Sequence, residues 1–146
     1  YWMIEPNKDS PLAIIYTGTV VPEVLDAFND LKEDIPGLGL LSITSSDRLY
    51  HDWQRSLTIS ENREQPHLER LFSRRNKKAA LITVQDGHPA NLSWLGATTG
   101  RRVYPLGLTD FGQSGNLPDL FRTYKIDADA IIQMAARASI DQASSR

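Results

Sequence analysis

Four short clusters carry the side chains most able to do chemistry: Gly18-Thr19, Ser45-Ser46-Asp47-Arg48, Asp86-Gly87-His88-Pro89 and Asp110-Phe111-Gly112-Gln113-Ser114. In the third, a carboxylate and an imidazole two residues apart could hold and pass a proton near neutral pH. The same pair could instead cap a helix starting near Pro89 and meet at a subunit contact, and that structural reading is preferred. His51 beside Asp52 fits a solvated helix face, and His67 after Pro66 fits the start of a helix. The three histidines lack the HExxH type of spacing, so no metal site is expected. The fourth cluster has neither the G-x-G-x-x-G nor the Gly-Lys-Ser/Thr pattern of a phosphate loop. Its glycines read as turns, with Phe111 expected to anchor the loop in the core. The run Arg74-Arg75-Asn76-Lys77-Lys78 could touch phosphate, but it precedes an apolar strand and reads as a solvated loop.

These clusters need elements to position them. Leu12 to Thr17 is a continuous apolar run, the pattern of a strand covered on both faces. Beyond Gly18-Thr19, Val21, Val24, Leu25, Phe28, Leu31 and Ile35 recur at helical spacing, with Pro22 in the first turn and Pro36-Gly37 as the stop. Further strand-like runs cover Leu38 to Ile43, Ala79 to Val84 and Arg102 to Leu108. Tyr1 to Ile4 adds an edge strand whose short connection makes it antiparallel to the next. Short helices are expected at Asp47–Trp53 and His67–Phe72, around a polar loop near residues 60–65. Another is expected near Pro118, and a last one capped by Asp127. Trp94, with Leu92 and Leu95, reads as core or interface, not as a stacking platform. The pattern predicts a three-layer α/β/α domain on a mixed, mostly parallel five-stranded sheet with its first strand antiparallel. The domain spans residues 1–139, followed by a polar tail, 140–146, expected to fray. In such sheets ligands gather beyond the carboxyl ends of the parallel strands, where all four clusters fall. Asp47, Asp86, His88, Asp110, Gln113 and Ser114 are therefore the candidate cleft or interface residues.

At 146 residues the chain has room for one domain with a real core. Hydrophobic residues at 40% and charged residues at 23% match globular averages and argue against disorder. A net charge of -2 gives no electrostatic case for nucleic acid. No apolar run approaches the roughly 20 residues that cross a bilayer. With no cysteine, disulfides, thiolate nucleophiles and cysteine-held metals are excluded, and a cytoplasmic location fits. The opening Tyr1-Trp2-Met3-Ile4, strand-like and without an initiator methionine, reads as a cut at a domain boundary of a longer polypeptide.

Several of these strings, in order along nearly the whole chain, resemble one family. They are Ser42-Ile43-Thr44-Ser45-Ser46-Asp47-Arg48-Leu49-Tyr50, then Asp86-Gly87-His88-Pro89 with Leu95-Gly96-Ala97, and most specifically the stretch from Gly107 to Gly115. The last continues into Asn116-Leu117-Pro118-Asp119-Leu120-Phe121 and Ile126 to Ile131. Together they resemble the carboxy-terminal domain of transketolase-like, thiamine-diphosphate enzymes. The nearer likeness is to the homodimeric decarboxylating component of pyruvate and related 2-oxo acid dehydrogenase complexes. The resemblance implies a five-stranded mixed sheet with an antiparallel first strand. It also implies a parent enzyme that uses thiamine diphosphate and magnesium, held by other domains, and passes an acyl group to a lipoyl arm. No Gly-Asp-Gly with a distal Asn occurs here, so this chain is expected to bind neither group and to be inactive alone.

Two readings follow. In the first, the chain is a structural and dimer-closing domain whose partners are the rest of its parent, a second subunit and a dihydrolipoyl acyltransferase. In the second, it is a stand-alone small-molecule-binding regulatory module that uses the strand-end clusters as its pocket.

Overall fold

A computed structural model describes residues 1–58, 65–110 and 114–144. The apolar runs become β2 (Leu12–Thr17), β3 (Gly39–Ser42), β4 (Ala80–Gln85) and β5 (Val103–Leu106), preceded by β1 (Trp2–Ile4). They form a single five-stranded sheet in the order β1-β3-β2-β4-β5. β2 lies parallel to both β3 and β4, β4 is parallel to β5, and β1 runs antiparallel against β3. The first strand thus has the expected direction, but it pairs with β3 and not with its sequence neighbour. Pro105, which has no N–H to give, sits in the edge strand β5 and is exposed.

Alternation along the buried strands sends side chains to two separate cores. On one face Leu12, Ile14 and Tyr16 of β2, with Ala80, Ile82 and Val84 of β4, meet Val24, Ala27 and Phe28 of α1 (Val21–Leu31) and Ile131 and Ala135 of α7 (Ala128–Ser144). α6 (Leu117–Thr123) adds Phe121 to this layer. On the other face Ala13, Ile15, Leu41 and Leu81 meet Leu68 and Phe72 of α3 (His67–Phe72), Leu92 of α4 (Ala90–Ser93) and Leu95 of α5 (Leu95–Thr99). α2 (Ser46–Ser56) flanks this second layer without burying any residue fully. It is held by Tyr50 and Trp53, whose rings pack on half-buried Trp94 at 5.1 and 5.5 Å. Trp94 is thus neither core nor free surface. Trp2 lies on the same side, edge-on to Phe72.

Helix ends follow their local chemistry. Asn116 accepts from Asp119 N at 3.0 Å to open α6, and Asp127 accepts from Ala130 N at 3.1 Å to open α7. α1 ends at Leu31, one turn before Ile35, although Ile35 N still reaches Leu31 O. The segment from residue 140, expected to fray, is helical as far as Ser144. The cause is specific bonding. Gln142 Nε2 donates to Pro11 O and Lys78 O, and Asp141 accepts from Tyr104 Oη at 3.0 Å. The basic run is solvated at Arg74, Lys77 and Lys78. Arg75 departs from it, turning inward to Glu5 at 2.7 Å and to Pro6 O. Nearby Arg101 is buried and donates to the carbonyls of Phe72, Arg75, Asn76 and Thr99, closing two helix ends at once. The expected place of Phe111 and the polar loop at 60–65, apart from Gln65, lie outside the described residues.

Candidate functional site

The register of the central strands builds the site. β2 and β4 pair without a break from Leu12 opposite Ala80 to Thr17 opposite Gln85. The next residues, Gly18 and Asp86, therefore emerge side by side. The Asp86 carboxylate accepts from Thr19 N at 2.8 Å and from Thr19 Oγ1 at 2.6 Å. Gly18 permits this approach: its φ is +86°, and a Cβ there would stand 2.0 Å from Asp86 Oδ1. Just beyond, the chain leaves β2 for α1 on one face of the sheet and leaves β4 for α4 on the other. This divergence is the crevice where open α/β sheets take ligands. Here the half-exposed Asp86 carboxylate spans from the β4 loop to the β2 loop.

The remaining contacts fasten neighbouring loops. Gln85, buried, donates from Nε2 to His88 O at 2.6 Å. Ala90 N donates to His88 Nδ1 at 3.2 Å, so His88, just before the N-cap Pro89, caps the first amide of α4 from outside the helix and remains exposed. Asp86 has the other role, as anchor of the β2 loop. The two side chains share a loop and no contact that would pass a proton between them. Leu108 N donates to Gly87 O at 2.8 Å, and Gly107 comes so close that a Cβ would meet Gly87 O at 2.5 Å. The loops after β2, β4 and β5 are thus tied in series.

The other candidates stay apart. Asp110 is exposed and accepts from Thr109 Oγ1 at 3.3 Å, and Ser114 is exposed. Gln113 lies outside the described residues. Asp47 is exposed in the first turn of α2, beyond β3 and three strands from β5, a separation of about 14 Å at ordinary strand spacing. His51 packs edge-on to Tyr50, and His67 opens α3 with its N–H donated to Asp52 Oδ2 at 2.7 Å. Thr19 stood in a strand-end cluster read from the sequence, but its pairing with Asp86 was not foreseen. Its only signal was a strand-end Gly-Thr pair, and the register that brings it to Asp86 is not a local property.

No protein-family model matches this chain, and no curated protein matches it. Solved structures do. Transketolase from Leishmania mexicana superposes with a TM-score of 0.68 at 15% identity, covering 97% of this chain and 18% of the other. Transketolase from Campylobacter jejuni gives 0.65 at 18% identity, covering 94% and 18%. The fold is transketolase-like. A split-gene transketolase described as an inactive β4 tetramer gives 0.64 at 16% identity, and there the chain spans 41% of its counterpart. This protein accordingly spans less than half the length of each of these neighbours.

A transketolase-like fold raises the question of thiamine diphosphate and its metal. Among the described residues no three of His, Asp and Glu converge so as to hold a metal ion, and the Asp86 carboxylate already takes two donors from Thr19. Among the described strand-end residues the donor set does not fit a magnesium-diphosphate site. The marked electrostatic shifts lie at the opposite edge of the sheet. There the hydrogen bond from Tyr104, followed by the charges of Arg137 and Arg102, holds Asp141 below the usual carboxylate range. Burial first, then the bond to Asp141, raises Tyr104 above its ordinary value. That group ties α7 to β5. No helix among the described residues is long and apolar enough to cross a membrane.

Proposed function

We propose that this chain is the carboxy-terminal domain of a thiamine-diphosphate-dependent enzyme, of the 2-oxo acid dehydrogenase or transketolase type, and that its work there is structural. The observation that carries the reading is the Asp86–Thr19 tie across the strand-end crevice. Where an open α/β sheet would accept a ligand, Asp86 binds Thr19 over a glycine that admits nothing larger. A likeness to transketolases over 94–97% of this chain but only 18% of two of them supports a domain within a larger enzyme. The choice of a pyruvate-type dehydrogenase rests on the resemblance of the stretch from Gly107 through Ile131. In such a parent the domain would close a homodimer, brace the active-site cleft and stand near an acyltransferase partner, in a cytoplasmic setting.

Calorimetric titration of the 146-residue chain with thiamine diphosphate and magnesium tests the structural role. No binding tighter than about 1 mM, or roughly -4 kcal/mol, is expected. Micromolar binding would overturn it. The reading frame upstream of Tyr1 tests the parentage: it should carry a Gly-Asp-Gly motif with a distal Asn, and a start codon directly before Tyr1 would refute it.

A further inference from the structure

A cavity of about 240 Å³ opens beside the end of β3, between α2 and α3 and away from the Asp86 crevice. Leu41, Ile43, Leu49 and Leu71 give it an apolar floor, with Ser42, Thr44 and Ser45 beside them. Arg48, Asp52 and His67 also line it, Arg48 and His67 being exposed. Asp52 is already engaged, accepting from His67 N at 2.7 Å and lying 3.7 Å from the Arg55 guanidinium. No hydrogen bond or ion pair among the described residues engages the Arg48 guanidinium or the His67 imidazole. The unused polarity of the lining is therefore led by the Arg48 guanidinium, a donor set with a fixed positive charge, beside half-buried Leu49 and Leu71, which gain by losing their water.

One ligand chemistry satisfies both parts. A carboxylate offers the guanidinium two acceptor oxygens in its own planar geometry, and a short aliphatic tail covers the floor. Inorganic phosphate would satisfy Arg48 and leave the floor wet. An alkylammonium would cover the floor and meet Arg48 with like charge. The volume, just below the roughly 300–1,000 Å³ of drug-sized pockets, suits a molecule of a few carbons. We propose that this cleft binds a short-chain monocarboxylate. The proposal is independent of any parent enzyme, because no residue of the Asp86 crevice lines the cleft.

The test is an NMR titration of the isotope-labelled chain with sodium butyrate, with sodium phosphate and butylammonium chloride as matched probes. Butyrate should give saturable shifts at the amides of Ile43, Arg48, Leu49 and His67, and the other two probes should not. Arg48→Gln should weaken butyrate binding by about tenfold or more, the loss expected for a charge-assisted pair, without lowering the melting temperature of an exposed site. Arg48→Met, which keeps the aliphatic stem, should behave alike. Absence of saturable shifts with butyrate, an equal response to phosphate or to butylammonium, or unchanged binding in both variants would each overturn the proposal.

Discussion

Replacing Gly18 by alanine would place a methyl carbon 2.0 Å from the Asp86 carboxylate, in a backbone conformation (φ +86°) that alanine resists. Two penalties are combined there, and they can be separated. The left-handed backbone alone costs about 1–2 kcal/mol. The clash exists only while Asp86 keeps its side chain. Asp86→Ala should itself cost about 1 kcal/mol by leaving Thr19 N–H and Oγ1 to water at a half-exposed site. In urea denaturation Gly18→Ala with Asp86→Ala should therefore lose less than the sum of the single losses, with a coupling of about 1 kcal/mol or more. Strict additivity would show that the carboxylate does not sit over Gly18. Asp86 and His88 were readable from sequence as strand-end residues with a capping role. Which of them caps was not, because Asp86 is drawn to Thr19, 67 residues away in sequence, by the pairing of β2 with β4.

α7 shows the same limit for a whole element. Its start was legible, since Asp127 precedes a helical run and caps it. Its end was not, because residues 140–144 look polar and loose until Tyr104 and Arg102 of β5 and its approach reach them. The fastening is electrostatic and so depends on pH. Asp141 titrates below the ordinary carboxylate value in the folded chain, so its contribution is complete above that value and is lost as pH falls through the lowered one. Tyr104 titrates above the ordinary phenol value, so its contribution is complete below that value and is lost as pH rises through the raised one. Urea midpoints of Asp141→Asn should therefore fall less steeply than those of the parent below about pH 4, and midpoints of Tyr104→Phe less steeply above about pH 10. Acid and alkaline limbs superimposable on the parent's would show that the bond is not formed.

At the scale of the whole molecule, the continuous apolar runs announced strands covered on both faces, and the class of fold followed. The strand order and the face taken by each helix did not, because both depend on pairings between distant segments. Since β2 and β4 feed both cores, the two helical layers should unfold together. Ile82→Ala, on the α1 and α7 side, should cost about 2–5 kcal/mol. It should also shift the tryptophan-fluorescence and circular-dichroism transitions by the same amount. Separate midpoints would mean that the layers melt independently. All three tryptophans stand on the other side: Trp2 and Trp94 against the second core, and Trp53 stacked on Trp94. The native emission of this protein is therefore a one-sided reporter. It should register quenchers or partners arriving at the α2–α5 layer and stay blind to anything docking on α1 and α7 unless the sheet between them gives way.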